Sequence, residues 1–347
     1  AQAQGAGDAP QTVAKAGRES FMSVLRVTMS RVALTLVPPS LGLGLGVLTF
    51  AREPFRPSQR GAFRMRMNTP CARCSTSPHK RGPAGPSWED AGVAARLERN
   101  YQSPEVVLQR ERVIEMLCPK VGERVLDVGC GPALLVALIA DAVGPEGHAV
   151  GIDPSEEMLA RGRKRLDGVK QAELQVGGAE QLPFPDDNFD GVVFTQVLSY
   201  VPDVPAALRE VRRVLVPGGR LLVLDTDWKG FVINAPDEVR AQRVIQSHED
   251  HFLDSTLPRK LPRLLRDAGF RLVGVAGVPM VAAGAVDEEG SWVGQAVFKH
   301  MPQHARTHPP SKHVPGDADA FIAEQRQLNC DGDFFAAVNR YIFVATA

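Results

Sequence analysis

Short aliphatic runs alternate with helix-like stretches along most of the chain after about residue 88. The run at residues 125–128 is β-branched and aliphatic, which predicts a buried parallel strand. A glycine turn follows it, and residues 133–143 are almost all apolar helix formers, so a buried helix is expected there. The same reasoning predicts four more strands, at residues 148–152, 172–176, 191–195 and 220–225.

Helices are predicted on both sides of this core. Two should lie between Trp88 and Leu117, the second with Ser103 as N-cap and Pro104 in its first turn. Later elements are expected as helices at residues 205–215, 236–252, 257–268, 292–301 and 317–328, and as strands at residues 270–278 and 335–345. Residues 302–315 are expected to be a loop, because prolines interrupt helical spacing.

The turn after the first strand is typical of a nucleotide-type ligand site. Gly129 and Gly131 let a ligand approach the backbone closely, and the next helix directs unpaired N–H groups at the turn. A dinucleotide fingerprint needs a third glycine where Leu134 stands, which argues against NAD. The Asp127 carboxylate would repel a pyrophosphate but could bind an amine through water. A cationic ligand without phosphate therefore suits the turn better.

A second acidic residue ends the second strand. Asp153 should lie at the carboxyl end of the strand next to Asp127, where an aspartate can accept hydrogen bonds from both hydroxyls of a ribose.

These residues resemble motif I of the class I S-adenosylmethionine (SAM) methyltransferases, with Ala133 in place of its third glycine. Residues 177–190 resemble the adenine-binding segment of the ubiquinone and menaquinone methyltransferase-like branch. Gly178 stands where that branch usually has an aspartate, so adenine recognition is expected to depend on Ala179 or Glu180. The resemblance covers about residues 95–285 and continues through a Pro-Gly-Gly turn before the fifth strand.

The resemblance implies an α/β fold with a Rossmann-like seven-stranded mixed sheet, a helical N-terminal cover, and a lid insertion at about residues 285–333. It implies SAM as the cofactor and a small organic molecule as the methyl acceptor. The cofactor would be held by Asp127, Gly129, Gly131, Asp153, Ala179, Glu180 and Gln196, with Tyr101 near its carboxylate end. Catalysis would consist of aligning a nucleophile with the sulfonium and excluding water.

Three residues are candidates for lining the reaction centre: Tyr200 after the fourth strand, Asp227 after the fifth, and His251. His248 and His251 share a helix face, and either could act as a general base. Neither has a third ligand in the sequence nearby, so no metal site is predicted. The tryptophans at positions 228 and 292 would suit an aromatic or quinone ring, whereas the carboxylates would suit a polar acceptor.

The charge of the chain divides it in two. Residues 1–86 carry 12 Lys and Arg against 3 Asp and Glu, and the remainder carries 28 against 37. The first part is expected to be a disordered or targeting leader, and residues 87–347 the methyltransferase domain. An acidic domain is a poor match for nucleic acid, so none is expected as partner. A stable membrane insertion is not expected either, and a cytoplasmic location is, or an organellar one if the leader is a transit peptide.

Three alternatives stay open. An arsenite methyltransferase would need several cysteines to converge on the site, and only Cys118, Cys130 and Cys330 lie in the domain. A SAM-binding protein without catalysis is suggested by Gly178 and Ala133. A NAD-binding module is the third.

Overall fold

The computed structural model describes residues 88–307 and 314–347. The helices are α1 (Ala91–Asn100), α2 (Pro104–Leu117), α3 (Leu134–Val143), α4 (Glu156–Arg165), α5 (Val204–Val214), α6 (Glu238–Glu249), α7 (Leu261–Asp267), α8 (Trp292–Gln295), α9 (Met301–Thr307) and α10 (Asp317–Asp331). The strands are β1 (Arg124–Val128), β2 (His148–Asp153), β3 (Ala172–Val176), β4 (Phe189–Thr195), β5 (Leu215–Thr226), β6 (Val232–Ile233), β7 (Arg271–Ala283) and β8 (Phe335–Thr346).

All strands in the described ranges form one mixed sheet, in the order β3-β2-β1-β4-β5-β8, with β7 on the far side of β8. Strands β1 to β5 pair in parallel, and β8 runs antiparallel to β5 and β7. The carboxyl ends of β1, β2, β4 and β5 therefore meet at one edge of the sheet, which we call the carboxyl edge. Ligands bind outside this edge in open α/β sheets.

The two faces of the sheet are buried under different helices. Leu126 and Phe194 point to the face covered by α5 and α7, whereas Val125 and Val193 point to the face covered by α2 and α3. This alternation follows from the two-residue period of a strand. A third hydrophobic cluster joins α6, α8, α9 and α10 to the beginning of β8.

The predicted α/β class and mixed sheet are confirmed, but the predicted number of seven strands is wrong. The structure has eight, because the two-residue strand β6 pairs with Ala336 and Ala337 at the beginning of β8. β5 pairs with a later part of the same strand, from Arg340 to Thr346.

The predicted loop at residues 302–315 is wrong at its start, because helix α9 runs from Met301 to Thr307 through Pro302. A π-helical segment, Ala296–His300, joins α8 to α9, and the Met301 N–H donates to the carbonyl of Ala296, five residues back. A local change from α to π spacing shifts the hydrogen-bond pattern at the point where proline has no N–H to donate.

The expected leader at residues 1–86 lies outside the described residues. Within the described part of the chain, no helix is long and apolar enough to cross a bilayer.

Gly129 brings the end of β1 into contact with the loop after β4. It has a φ of +73°, and a Cβ added to it would overlap the side chain of Val197. Both the backbone conformation and the lack of space therefore require glycine.

We predict that Gly129→Ala lowers the free energy of unfolding by about 2–4 kcal/mol, since left-handed strain and a steric clash add together. Gly122→Ala is the matched control: Gly122 also has a positive φ, but no atom lies within 4 Å of an added Cβ. It should cost about 1 kcal/mol, from backbone strain alone.

Urea unfolding of both variants measures this difference. Adding Val197→Ala to Gly129→Ala should restore part of the lost stability, because it removes the clashing methyls. If the two alanine variants were equally stable, the contact with Val197 would not constrain the turn.

Candidate active site

The turn after β1 is held to the end of β2 by its own backbone. The N–H groups of Gly129 and Cys130 donate to the carbonyl of Ile152, at 2.7 and 3.1 Å. The Gly131 N–H donates to Oδ2 of Asp153 at 2.8 Å, and the Ser155 N–H donates to Oδ1 at 2.8 Å. Asp153 is thereby fixed beside the glycine turn at the carboxyl edge, as the sequence predicted for a neighbouring pair of strands.

Ala133 takes the place of the third motif glycine and keeps its conformation. It has φ 58° and ψ 29° and directly precedes α3. Its methyl group faces Gly162 of α4, where an added Cβ would come within 2.9 Å of the Ala133 Cβ. A glycine on the neighbouring helix thus makes room for the extra methyl, which explains how the substitution is accommodated.

Asp127 is buried at the end of β1 without a charged partner. Its exposed fraction is 2%. Burial, and secondarily the negative charge of Asp153, raise the pKa of Asp127 to about 8. Burial also raises the pKa of Asp153, although its two backbone hydrogen bonds oppose the shift. Two adjacent buried carboxyl groups form a site that a cationic ligand would stabilise.

The surroundings of the turn fit S-adenosylmethionine. An added Cβ on Gly131 would meet no atom within 4 Å, so the space in front of this glycine is open. Gln196, at the end of β4, adopts a positive φ of 60°, and its Oε1 accepts from Thr226 Oγ1 at 2.6 Å. Its buried Nε2 has no partner among the described residues. An unpartnered buried donor indicates a missing acceptor.

The segment expected to bind adenine lies between β3 and β4. An added Cβ on Gly178 would meet nothing within 4 Å, so nothing in the structure fills the place of the usual aspartate side chain. Ala179 packs against the hydrophobic core. Glu180 accepts a hydrogen bond at 2.8 Å from the N–H of Asp203, ahead of α5. That hydrogen bond uses one carboxylate oxygen of Glu180 and joins the loop after β3 to the loop before α5.

Tyr101 connects the helical cover to the carboxyl edge. Its carbonyl accepts a hydrogen bond from Arg110 of α2. Burial raises the pKa of its hydroxyl to about 12, with a further contribution from the charge of Asp153. The ring packs on the same hydrophobic cluster as Trp228. Tyr101 therefore lies between the glycine turn and the cluster described next.

Six ring-bearing side chains from four separate segments pack together beside the carboxyl edge. We call them the aromatic cluster: Tyr200, Trp228, His248, His251, Phe252 and Trp292. Trp228 stacks on Phe252 with centroids 4.9 Å apart, and its centroid lies 5.8 Å from that of Trp292. The buried Trp228 Nε1 has no acceptor within the described ranges.

Two of the three predicted catalytic residues belong to this cluster. The rings of Tyr200 and His251 lie edge to face, 5.6 Å apart. Burial raises the pKa of the Tyr200 hydroxyl well above its usual value, so the group remains protonated and can donate.

Histidines from α6 and α9 approach each other here. The His304 ring lies 5.1 Å from that of His251 and 6.3 Å from that of His248. The sequence does not predict this approach, because the loop expected at residues 302–315 separates His304 from α6. The three rings do not form a metal site, and no group of potential ligands elsewhere in the described residues does either.

Asp227, the third predicted catalytic residue, is engaged in an ion pair. Its Oδ2 accepts from Arg259 Nε at 2.8 Å, while its buried Oδ1 has no partner among the described residues. The ion pair fixes one carboxylate oxygen of Asp227 in place and leaves the other for a further hydrogen bond.

Sequence reasoning missed Arg340. This residue is 3% exposed on β8, opposite Thr226 of β5, and its guanidinium lies 4.1 Å from the centroid of the Trp292 ring. The one signal in the sequence was an arginine within a mostly apolar strand. Asp225, one residue before Thr226, is fully buried nearby, and burial raises its pKa to about 6.

The three cysteines of the domain do not converge, which removes the basis of the arsenite alternative. Cys118 ends α2 ahead of β1, at the opposite edge of the sheet from the glycine turn. Cys130 is buried within the turn, and Cys330 is exposed near the end of α10.

Comparison with known proteins agrees with this site. Residues 119–269 match the model of a methyltransferase domain family. The chain is 34% identical over 268 residues, 75% of its length and 71% of the relative's, to an uncharacterized 37.1 kDa protein in transposon TN4556 of Streptomyces fradiae. It is 43% identical over 119 residues to the demethylmenaquinone methyltransferase of Listeria welshimeri, an alignment that spans half of that enzyme and 34% of this chain.

Solved structures that resemble the chain include a SAM-dependent methyltransferase from Aquifex aeolicus, with 18% identity, 73% of this chain and 98% of that chain covered, and a TM-score of 0.43. Another is phosphoethanolamine N-methyltransferase 2 of Haemonchus contortus in complex with S-adenosyl-L-methionine, with 16% identity, 75% and 58% covered, and a TM-score of 0.47.

A parallel sheet of this order with an antiparallel last strand, a glycine turn after β1 and an acidic residue at the end of β2 define a class I SAM-dependent methyltransferase. This chain belongs to that class, and within it to the ubiquinone and menaquinone methyltransferase-like type. It is an enzyme, and S-adenosylmethionine is its cofactor.

We predict that Asp127→Asn increases the free energy of unfolding relative to wild type, and that this increase is larger at pH 8 than at pH 4. The raised pKa means that folded Asp127 holds a proton that the unfolded chain releases between about pH 4 and 8, so wild-type stability falls across that window. The variant lacks this loss, and its advantage should reach the order of a few kcal/mol at pH 8.

Urea unfolding at several pH values measures the effect, with Asp167→Asn, at an exposed position, as the control. The control should change stability equally at every pH. The same Asp127→Asn protein should bind S-adenosylmethionine at least about tenfold more weakly, since a buried charged hydrogen bond contributes about 1.5–3 kcal/mol. A variant that gained no stability with rising pH would contradict the assignment of a buried, protonated Asp127.

Proposed function

We propose that this enzyme transfers the methyl group of S-adenosylmethionine directly to a small, ring-containing organic acceptor bound against the aromatic cluster. The observation that carries the proposal is the cluster itself, which adjoins the carboxyl edge and contains the unpartnered buried donor Trp228 Nε1. Flat apolar surfaces with a few oriented polar groups are the usual lining of small-molecule sites.

The cofactor would be held at the turn between β1 and β2. Asp153 would accept the ribose hydroxyls, and Gly129 and Gly131 would allow close approach of the methionine half. Asp127 would face its ammonium group, and Tyr101 its carboxylate end. Gln196, whose Nε2 lacks a partner, is the further donor proposed for this half of the site.

Adenine would lie against Ala179 and the backbone of the segment beside it. Glu180 is the other residue proposed there, and its hydrogen bond to Asp203 leaves its second carboxylate oxygen for that role.

S-adenosylmethionine supplies a methyl group that its sulfonium has already activated. The chain's part is to align the acceptor so that a lone pair attacks in line while the carbon–sulfur bond breaks and its electrons return to sulfur. We assign His251 as the base that takes the proton released by the acceptor, and Tyr200 as a neighbouring donor that orients the acceptor. Asp227, held by Arg259, would contribute negative charge.

Helices from the region expected to be a lid supply part of the cover. Trp292 begins α8, and the Ser291 hydroxyl donates to Glu105 of α2 at 2.7 Å. A cleft of about 640 Å³ opens beside this contact, lined by polar residues that include Arg99 and Glu289. We propose residues 285–333 as the lid and this cleft as the way in for the acceptor.

Relatives support a ring acceptor without identifying it. The relatives named demethylmenaquinone methyltransferase share 37–43% identity with this chain, over 34–39% of its length. His251 and Trp292, which would contact the acceptor, follow β6 and lie far along the chain from the glycine turn that would hold the cofactor.

We predict that the protein transfers labelled methyl from S-adenosylmethionine to at least one member of a panel of phenols, hydroquinones and ring amines. His251→Asn should reduce the rate about 100-fold or more, as loss of a general base does, with the dissociation constant of S-adenosylhomocysteine unchanged. His148→Asn is the matched control, because His148 begins β2 at the opposite edge of the sheet.

Tyr200→Phe keeps the ring and removes the hydroxyl, and should lower the rate less than His251→Asn does. Binding of S-adenosylhomocysteine with no transfer to any acceptor of the panel would favour a cofactor-binding protein without catalysis. Equal rates for His251→Asn and His148→Asn would remove His251 from the mechanism.

A further inference from the structure

Arg340 is a buried cation next to the proposed acceptor site. It lies on β8 with Thr226 opposite it on β5, and Thr226 donates to Gln196, one of the proposed cofactor residues. Burial lowers the pKa of Arg340 to about 10, which leaves the guanidinium charged at neutral pH. A buried charge that a protein retains is normally paired, because an unpaired one is costly.

No carboxylate in the described part of the chain lies within 4.0 Å of the Arg340 guanidinium. Asp225, whose charge acts on Arg340, accepts hydrogen bonds from the N–H groups of Ser199 and Thr226 instead. Glu105, the other nearby acid, accepts from the Ser291 hydroxyl. The acidic side chains around Arg340 therefore accept hydrogen bonds from other groups and not from the guanidinium.

The guanidinium is nevertheless fixed in position. Its Nη1 donates to the amide oxygen of Gln109 on α2, and its plane lies against the Trp292 ring. Its Nε is buried and has no hydrogen-bond partner among the described residues. Guanidinium has five N–H donors in a fork, and a carboxylate is the planar acceptor that matches two of them at once.

Other buried polar atoms without partners in this region are of both kinds, since Asp227 Oδ1 is an acceptor. Trp228 Nε1, also buried without a partner, is a donor only. The hydroxyls of Tyr101 and Tyr200 both act on Arg340, and burial keeps both of them protonated and able to donate. The Arg340 Nε–H, a charged donor without a partner beside the Trp292 ring, fits a ring that carries an anion.

We propose that Arg340 binds a carboxylate on the acceptor, so that the substrate is an unsaturated ring acid rather than a neutral ring compound. This inference rests on the proposed function, since it names the substrate class of the same site. Trp292 would hold one face of the guanidinium, Gln109 would fix its orientation, and the Nε edge would receive the carboxylate.

Calorimetric titration of the full chain, saturated with S-adenosylhomocysteine, tests the proposal with matched probes. The acids are benzoate, 4-hydroxybenzoate and 2-naphthoate, and each is compared with its neutral amide. In the wild-type protein at least one acid should bind tenfold or more tightly than its amide. Arg340→Met should bring this ratio close to one, and Arg340→Lys should give an intermediate ratio, because lysine keeps the charge but not the fork.

Arg243→Met is the control, since Arg243 of α6 pairs with Asp317 of α10 instead. It should leave the ratio of acid to amide affinity unchanged. Unchanged affinity for S-adenosylhomocysteine shows in each variant that the fold is intact. A purely structural role of Arg340 would weaken the acid and the amide equally.

The proposal is overturned if no acid binds while S-adenosylhomocysteine does, or if Arg340→Met keeps the preference for the acid. It is also overturned if Arg340→Met transfers labelled methyl to a ring acid as fast as wild type does, an outcome that leaves the proposed function standing. Selective binding of an acid through Arg340 without any methyl transfer would sustain the anion site while refuting the proposed function.

Discussion

Two carboxyl groups buried side by side at the carboxyl edge constrain the rest of this structure. Asp127 ends β1 and Asp153 ends β2, and the raised pKa values of both follow from burial. No basic side chain among residues 88–307 and 314–347 pairs with either, and two backbone N–H groups hold Asp153. The fold therefore maintains an unfavourable concentration of acidic groups, as expected where a cationic cofactor is the missing partner.

The acceptor side of the site follows a different principle. Its aromatic cluster is assembled from the loop after β4, the turn after β5, the end of α6 and the beginning of α8. The last three of these segments share one hydrophobic core, separate from the two cores on the faces of the sheet. A shared sheet with a separate acceptor region allows one cofactor site to serve different substrates, because the acceptor region can change without disturbing the sheet.

The sequence was sufficient wherever the signal was local. The glycine turn, Asp127 and Asp153 lie next to strands that aliphatic runs define, so the topology places them together. The role of Gly162 opposite Ala133 could not be read, since it depends on how α4 packs against α3. The approach of His304 to His251 could not be predicted, because residues 302–315 were expected to be a loop and the π-helical segment before them was not anticipated. The position of Arg340 beside the acceptor site could not be predicted, because it depends on the pairing of β8 with β5 and on the packing of Trp292 over the guanidinium.

The central claim is that Asp127 and Asp153 form the S-adenosylmethionine site. The most direct test is calorimetric titration of the full chain with S-adenosylmethionine at pH 7, in buffers of different ionisation enthalpy. Binding should release about one proton, because the cofactor's ammonium favours the ionised form of a carboxyl group whose free pKa is near 8. Binding without proton release, or no binding by the folded protein, would contradict the account.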